Sequence, residues 1–171
     1  MRQKRNYLPH DAYTRGKLAG GTNAGKVVSP TPATVNTLVT RHEGLRLKAY
    51  KCPSGVWTIG YGHTGNVTKG MTITKQQALR LLAADLERFN HAVGSKVTYP
   101  LKPRQRKALV SFAFNVGESA FSRSSVVKHV NRGDFVAAGK ALLLYVRDNK
   151  GRVLPGLQNR RINELMELLA T

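Results

Sequence analysis

The segment from Glu43 to Tyr50 has the sequence EGLRLKAY, and the segment from Trp57 to Thr64 has the sequence WTIGYGHT. The first segment places one carboxylate at the end of a predicted helix. The second combines β-branched and aromatic residues with glycines, which is typical of a strand that ends in a tight turn. Together they predict a helix, an acidic side chain at its end, and then a small antiparallel sheet.

The helix before Glu43 is predicted to begin at Thr31 and Pro32, because a threonine cap followed by proline is a start signal. One stripe then recurs at helical spacing and consists of Val35, Leu38, Val39, His42 and Leu45. Glu43 lies at the edge of this stripe. Partial desolvation there favours the protonated carboxyl, which is the form that a general acid needs.

The segment 52–73 is predicted to form a small antiparallel sheet, with turns at Gly55, Gly60, Gly62, Gly65 and Gly70. A capping box at Thr74 and Gln77 predicts the start of the next helix. The apolar face of that helix is formed by Ala78, Leu82, Leu86, Phe89 and Val93. This strongly amphipathic pattern predicts a helix long enough to connect two lobes.

After Pro103 the pattern is mostly helical. One stripe ends before Gly117, a residue suited to the C′ position, and consists of Ala108, Leu109, Phe112, Ala113 and Val116. Caps of two further helices are predicted at Ser124 or Ser125 and at Asp134. Turns are predicted at Asn149-Lys150-Gly151 and at Pro155-Gly156. A last helix carries on one face Leu157, Arg161, Leu165 and Leu168.

These patterns predict an α+β fold with a small antiparallel β lobe, about residues 50–73, and a larger helical lobe, about residues 95–171. A long helix joins the lobes, and a cleft lies between them. Both lobes belong to one predicted catalytic domain, residues 32–171. Residues 1–31 form a basic extension of charge +5, interpreted either as a flexible solvated arm or as an anchor that orders against an anionic surface or a partner.

The charge of the chain is extreme, since 28 Lys and Arg against 9 Asp and Glu give +19 and a pI near 10.8. Such a field favours polyanions such as nucleic acid, lipopolysaccharide, teichoic acid or acidic cell wall. Without an aromatic-rich basic motif, it does not indicate specific nucleic-acid binding. A single cysteine excludes an intrachain disulfide. The sequence shows neither a secretory signal nor a membrane-spanning run.

The residues around Glu43 resemble the active-site segment of the phage-type lysozymes, the endolysin muramidases of glycoside hydrolase family 24. In that family a glutamate is followed after eight residues by an aspartate and after five more by a threonine. The corresponding positions here are Glu43, Cys52 and Thr58. The middle position therefore has a cysteine where the family usually has an aspartate. The resemblance covers residues 33–169.

The resemblance implies that Glu43 protonates the glycosidic oxygen, and that Thr58 with Cys52 holds the attacking water. Thr58 is alternatively an ordinary strand threonine. Three interpretations of Cys52 stay open. It substitutes for the aspartate as a thiolate, favoured by Lys48 and Lys51 and acting as base or nucleophile; it is a replacement that weakens activity; or it only fills space. A lone cysteine does not indicate a metal site.

The helical lobe resembles the same family in the segments 113–117, AFNVG, and 156–161, GLQNRR. By that match, Arg160 or Arg161 pairs with Glu43 or orients it, the alternative being surface charge on a basic protein. Phe114 and Asn115 are further candidates for binding substrate or orienting the acid. For Phe114, a place in the core is an equally good interpretation.

Two residues of the predicted turn after the strand, Gly62 and His63, complete the candidate set. Both are candidates for binding substrate or orienting the acid. His63 is alternatively a hydrogen-bonded structural histidine of the strand turn.

The resemblance implies a peptidoglycan hydrolase that cleaves the β-1,4 bond between N-acetylmuramic acid and N-acetylglucosamine and causes bacterial lysis, with inversion and without a cofactor. Its expected partners are peptidoglycan and an anionic envelope surface, and it is expected to be a monomer. It is expected in the host cytoplasm until a holin pore releases it, or in the virion. Two alternatives are a lytic transglycosylase that uses Glu43 alone and a weakened protein that only binds the envelope or nucleic acid.

Overall fold

The computed structural model describes residues 38–52, 55–148 and 150–170. A helical stretch at residues 38–40 is followed by β1 (Arg46–Lys51), β2 (Trp57–Gly60), α1 (Lys75–Lys96), α2 (Pro103–Val116), α3 (Glu118–Ser122), α4 (Ser125–Val130), α5 (Phe135–Leu142) and α6 (Pro155–Leu169). The mixture of a small antiparallel sheet with helices confirms the predicted α+β fold. The predicted helix start at Thr31 and Pro32 and the basic extension lie outside the described residues.

The sheet begins earlier than the segment 52–73 that the sequence predicts. β1 and β2 are antiparallel, with Tyr50 opposite Thr58, and residue 71 extends the pairing through a 2.8 Å hydrogen bond from Ala49 N to Met71 O. The first four residues of β1, Arg46 to Ala49, fit a strand because basic and apolar side chains alternate, and the pairing register shifts before Tyr50. The position of β1 places Tyr50 and Thr58 side by side on one face of the sheet.

α1 begins at the predicted capping box. Gln77 N donates to Thr74 Oγ1 at 3.1 Å, and Thr74 N donates to Gln77 Oε1 at 2.7 Å. The predicted apolar face of this helix is buried throughout. Its 22 residues extend about 33 Å, and it contacts both β2 and α2. The sequence-based expectation of a helix that connects two lobes is confirmed.

The core of the helical lobe is centred on α2, which packs against α1 and α6. The ring of Phe112 meets Phe121 and Tyr145 edge to face, at centroid distances of 6.1 and 4.9 Å. A Cβ at Gly139 of α5 would lie 2.5 Å from Leu165 Cδ1 of α6. The glycine therefore allows these two helices to approach closely.

The predicted helix ends are mostly confirmed. Gly117 ends α2 with a φ of +84°, Ser124 caps α4, and Asp134 caps α5. The predicted turn at Pro155 and Gly156 is wrong, since these residues begin α6; proline suits the first helical position because its missing N–H needs no partner there.

Two further local expectations are corrected. Leu45 was expected on the apolar stripe of the helix that carries Glu43, but helical structure ends at residue 40 and Leu45 is 37% exposed. The short helix α3 carried no start signal in the sequence analysis. None of the helices within the described ranges is long and apolar enough to cross a membrane.

Candidate active site

Glu43 lies just after the helical stretch at residues 38–40, where its amide donates to Val39 O at 3.0 Å. Its side chain is 24% exposed. Oε1 accepts a short hydrogen bond of 2.5 Å from Arg160 Nη1. Oε2 lies towards the turn after β2, since a Cβ added at Gly62 would be 3.9 Å from it. One oxygen is thus held by a cation, and the other faces the strand turn.

Arg160 is almost fully buried, with 2% of its side chain exposed. Besides Glu43, it donates from Nε to Glu164 Oε1 at 3.1 Å and from Nη2 to the carbonyl oxygen of Ser111 at 3.1 Å. α2 and α6 together therefore fix the guanidinium that holds Glu43. The resemblance left Arg160 and Arg161 as alternatives, and the structure places Arg160 against Glu43.

Arg161 points to a different set of partners. It donates from Nη2 to Asn115 Oδ1 at 2.9 Å and to Glu164 Oε1 at 3.2 Å, and its guanidinium carbon lies 5.0 Å from the centre of the Phe112 ring. Burial lowers the pKa of Arg161 to about 10, so it remains a cation at neutral pH. It binds the same buried carboxylate as Arg160.

Glu164 was not predicted as a site residue. Its side chain is fully buried, and Ser111 Oγ donates to Oε1 at 2.7 Å. Burial raises the pKa of Glu164, against the opposing effects of Arg161 and Arg160. A sequence signal existed, since Arg160 and Glu164 are four residues apart on one helix and so lie on one face.

Cys52 and Thr58 donate hydrogen bonds to the same carbonyl oxygen just before β2. The carbonyl oxygen of Val56 accepts from Cys52 N at 3.0 Å and from Thr58 Oγ1 at 3.1 Å. Thr58 is nearly buried, at 3% exposed, whereas Cys52 is partly exposed. The hydroxyl proton of Thr58 is engaged by this carbonyl, so its oxygen is left to accept a hydrogen bond.

Tyr50 is a site residue that the sequence analysis did not single out. Burial raises the pKa of Tyr50, and the nearby Glu43 and Cys52 act in the same direction while Arg46 opposes them. The Arg46 guanidinium carbon lies 4.6 Å from the centre of the Tyr50 ring. Since Tyr50 is also opposite Thr58 on the sheet, it lies among the three residues of the family pattern.

His63 is held in a structural contact with α1. Its Nδ1 lies 2.8 Å from Asp85 Oδ2, and its Nε2 lies 3.0 Å from Gly65 O. The hydrogen bond with Asp85 raises the pKa of His63. This geometry favours the interpretation of His63 as a histidine that holds the strand turn against α1.

A cavity of about 940 Å³ opens beside Glu43. It is lined by Arg41, His42, Glu43, Asn115, Leu154, Pro155, Gly156, Leu157, Asn159, Arg160, Ile162 and Asn163. Burial, with the charge of Arg160, lowers the pKa of His42. Its Nε2 lies 3.1 Å from Asn163 Nδ2. The cavity is large enough for a sugar-sized ligand.

Phe114 does not line this cavity. Its ring meets Phe89 edge to face at 5.4 Å and packs against the hydrophobic core. Of the two interpretations of Phe114, the geometry therefore favours the core. Among residues 38–52, 55–148 and 150–170, no group of three His, Cys, Asp or Glu side chains is arranged to hold a metal ion.

Comparison with known protein families places this site in context. A sequence profile described as phage lysozyme matches residues 40–164. That match includes Glu43, Cys52 and Thr58 and ends at Glu164. Most of the described chain is therefore covered by one family.

Individual relatives agree with this match. An endolysin of Acyrthosiphon pisum secondary endosymbiont phage 1 is 39% identical over 127 residues, which cover 72% of this chain and 87% of that protein. An endolysin of Salmonella phage P22 is 43% identical over 119 residues, which cover 67% and 82%. The muramidase domain of SpmX from Asticaccaulis excentricus superposes with a TM-score of 0.77 at 37% identity, over 84% of this chain and 99% of that one.

Proposed function

The chain belongs to the phage lysozyme family and is a peptidoglycan hydrolase of the muramidase type, and we propose that Glu43 is its catalytic acid. The observation that carries this assignment is the position of the Glu43 carboxyl, which is held by Arg160 at the edge of the 940 Å³ cavity. A fixed, partly exposed carboxyl is what proton transfer to a glycosidic oxygen needs. The bond to be cleaved is the β-1,4 bond between N-acetylmuramic acid and N-acetylglucosamine.

In the proposed reaction, Glu43 Oε2 donates its proton to the glycosidic oxygen as the bond from that oxygen to the sugar C1 breaks. Oε1 stays bound to Arg160 and fixes the direction of the donating oxygen. A water then forms the new bond to C1. Attack from the opposite face of the sugar gives an inverted product.

Thr58 is proposed to bind this water, and Cys52 is proposed to deprotonate it. The oxygen of Thr58 accepts one hydrogen bond from it, and the thiolate of Cys52 takes the proton that it loses. The neighbouring Lys48 and Lys51 are exposed cations that favour a thiolate over a thiol. After release of product, proton exchange with solvent restores the protonated acid and the thiolate base.

The sugar is proposed to lie between the sheet and the beginning of α6. Asn115 lines the cavity, and Gly62 faces the acid, so both suit contact with substrate. Arg160 and Arg161 act behind the acid as positioning residues. His63 and Phe114 support the walls of the site from the turn and the core.

An anionic envelope surface is proposed as a second partner, bound by the sheet region together with the beginning of α1. From Gly44 to Ala84 the sequence contains no Asp or Glu, and the exposed cations in this segment are Arg46, Lys48, Lys51, Lys69, Lys75 and Arg80. Such a surface attracts polyanions, and the attraction weakens with salt. Retention on peptidoglycan that carries teichoic acid, compared with stripped peptidoglycan over a salt series, tests this partner.

The protein is further proposed to stay in the cytoplasm of the host until a holin pore releases it to the wall. The endolysin names of its relatives support this location. Fractionation of producing cells, with and without a coexpressed holin, tests it. Lysis that needs no holin would contradict it.

The reaction class is tested by mass spectrometry of the soluble products from purified peptidoglycan. Hydrolysis leaves reducing muramic acid ends, and this is the expected result. Products with 1,6-anhydro ends would instead show a lytic transglycosylase. Absence of soluble products would leave the binding-protein interpretation.

A further inference from the structure

We propose that Glu164 sets how readily Glu43 holds its proton, acting through Arg160, and is thus a positioning residue for the catalytic acid. The inference rests on the proposed function, since it requires Glu43 to be the acid. Glu164 is fully buried behind Arg160, so it does not touch the substrate. Its influence passes through one guanidinium.

The guanidinium of Arg160 joins the two carboxylates. Nη1 donates to Glu43 Oε1, and Nε donates to Glu164 Oε1 at 3.1 Å. The remaining nitrogen donates to the Ser111 carbonyl at 3.1 Å, which fixes the group in place. Because the guanidinium is planar, Glu43 and Glu164 lie at different edges of one rigid cation.

Glu164 is held as an anion by its neighbours. Every described group at hydrogen-bond distance from its oxygens is a donor, namely Ser111 Oγ, Arg160 Nε and Arg161 Nη2 on Oε1, while Arg161 Nε lies 3.0 Å from Oε2. Oε1 therefore accepts three hydrogen bonds, whereas Oε2 forms an ion pair with Arg161 and accepts no hydrogen bond among the described residues. The two arginine cations favour the ionised form of Glu164, in opposition to the burial that raises its pKa.

Glu43, Arg160, Arg161 and Glu164 form one charged cluster. The net charge of this cluster determines the free energy of protonating Glu43. With Glu43 ionised, the two arginines and two carboxylates have a net charge of zero. With Glu43 protonated, the net charge is +1. If Glu164 were also uncharged, the net charge with Glu43 protonated would be +2. Since a nearby positive charge favours a carboxylate, Glu164 makes the protonated and catalytically useful form of Glu43 easier to reach.

Other groups around Glu43 and the cluster remain constant in this comparison. Arg41 and His42 line the cavity beside Glu43, Glu43 influences both His42 and Tyr50, and Tyr145 influences the pKa of Arg161. Cys52 also acts on Tyr50. Thiolate formation increases activity as pH rises, whereas loss of the acid's proton decreases it. In a Cys52→Asp background the base is a carboxylate that is ionised over the whole neutral range, so there the alkaline limb of the pH profile reports on loss of the proton from Glu43.

The test compares kcat against pH for three variants, each made in the Cys52→Asp background, with Cys52→Asp alone as the parent. Glu164→Gln preserves shape and removes the charge, so its alkaline limb is expected to move down by about one pH unit. Arg161→Gln removes a positive charge from the same cluster, so its limb is expected to move up. Glu164→Asp keeps the charge, and its limb is expected to stay in place even if kcat falls.

Glu167→Gln is the matched control. Glu167 lies on α6 three residues after Glu164, but it pairs with Arg104 and Lys107 near the surface, at 2.9 and 2.8 Å. Its substitution removes the same unit of charge outside the cluster. In the same background, the alkaline limb is expected to remain where Cys52→Asp alone has it.

Thermal unfolding identifies the variants that fold. If Glu164→Gln does not fold, the other two variants still test the inference. Arg161→Gln is expected to move the alkaline limb to higher pH, and Glu164→Asp is expected to leave it in place. Unmoved limbs in folded Glu164→Gln or Arg161→Gln would overturn the inference, since a purely structural role changes stability without moving the limb. Failure of the proposed function is distinguishable, because wild-type cleavage would then not depend on Glu43 at all.

Discussion

Cys52 and Thr58 are joined through one backbone oxygen. The carbonyl of Val56 accepts from the amide of Cys52 at 3.0 Å and from the hydroxyl of Thr58 at 3.1 Å. The positions that the family pattern separates by five residues are therefore fixed relative to each other by a single turn. A change of side chain at one of them does not release the backbone of the other.

Substitution of Cys52 by aspartate is expected to keep or raise activity. The backbone at residue 52 is held by Val56, so a carboxylate at this position takes the place of the thiol with little movement. A carboxylate is also ionised over the whole neutral range. Initial rates of peptidoglycan solubilisation measure the effect. A large loss would show that the thiol has chemistry of its own.

Thr58→Val is expected to lower kcat about 10²-fold, because it removes the oxygen proposed to hold the water while keeping the shape. Its effect on stability is expected to be about 1 kcal/mol, since one hydrogen bond to Val56 is lost. Thr58→Ser is the control, because it retains the hydroxyl. Equal activity of the valine and serine variants would contradict the assigned role.

Gly62→Ala is expected to reduce both stability and activity. Gly62 has a φ of +93°, so alanine is strained by about 1 kcal/mol. Its methyl group would also lie 3.9 Å from Glu43 Oε2, where substrate must approach, and a drop of about tenfold in kcat is expected.

Gly70→Ala separates the two effects of the Gly62 substitution. Gly70 has a similar φ of +84°, and an added Cβ there meets no described atom within 4 Å. The control is expected to lose similar stability in urea unfolding while retaining its rate. Equal rates for both variants would place Gly62 outside the substrate path.

The contact between His63 and Asp85 is expected to make stability depend on pH. Because the folded state raises the pKa of His63, the contact stabilises fully below the unfolded value of about 6.5, and this contribution is lost as pH rises through the folded value. Asp85→Asn is therefore expected to cost about 2 kcal/mol at pH 5 and less at pH 8.

Urea unfolding at both pH values measures the loss, with Asp148→Asn as the control. Asp148 pairs with Arg152, which does not titrate in this range, so the effect of its substitution is expected to be the same at both pH values. A loss for Asp85→Asn that does not change with pH would refute the linkage.

Much of the helical framework follows from local signals in the sequence. The capping box at Thr74 and the apolar spacing after it determine α1, and Gly117 determines the end of α2. These signals suffice because each depends on neighbours in the chain. The pair Pro155 and Gly156 was misassigned because both residues favour turns, although proline is equally suited to the first turn of a helix.

The candidate site also contains residues that local sequence signals predict and residues that they do not. The spacing of Glu43, Cys52 and Thr58 is visible in the sequence, whereas the burial of Glu164 is not, because a glutamate on a helix is usually exposed. Its burial depends on Arg160, Arg161 and Ser111 meeting across two helices. Such a contact between α2 and α6 is set by tertiary packing, which local patterns do not encode.

The most direct test of the account is the rate of peptidoglycan cleavage by Glu43→Gln. Glutamine keeps an oxygen for Arg160 but cannot donate the acid proton. Glu87→Gln is the matched control, because Glu87 is an exposed carboxylate on α1. The account predicts that Glu43→Gln releases no reducing muropeptides while Glu87→Gln cleaves like the wild type. Wild-type turnover in Glu43→Gln would contradict the assignment of Glu43 as the catalytic acid.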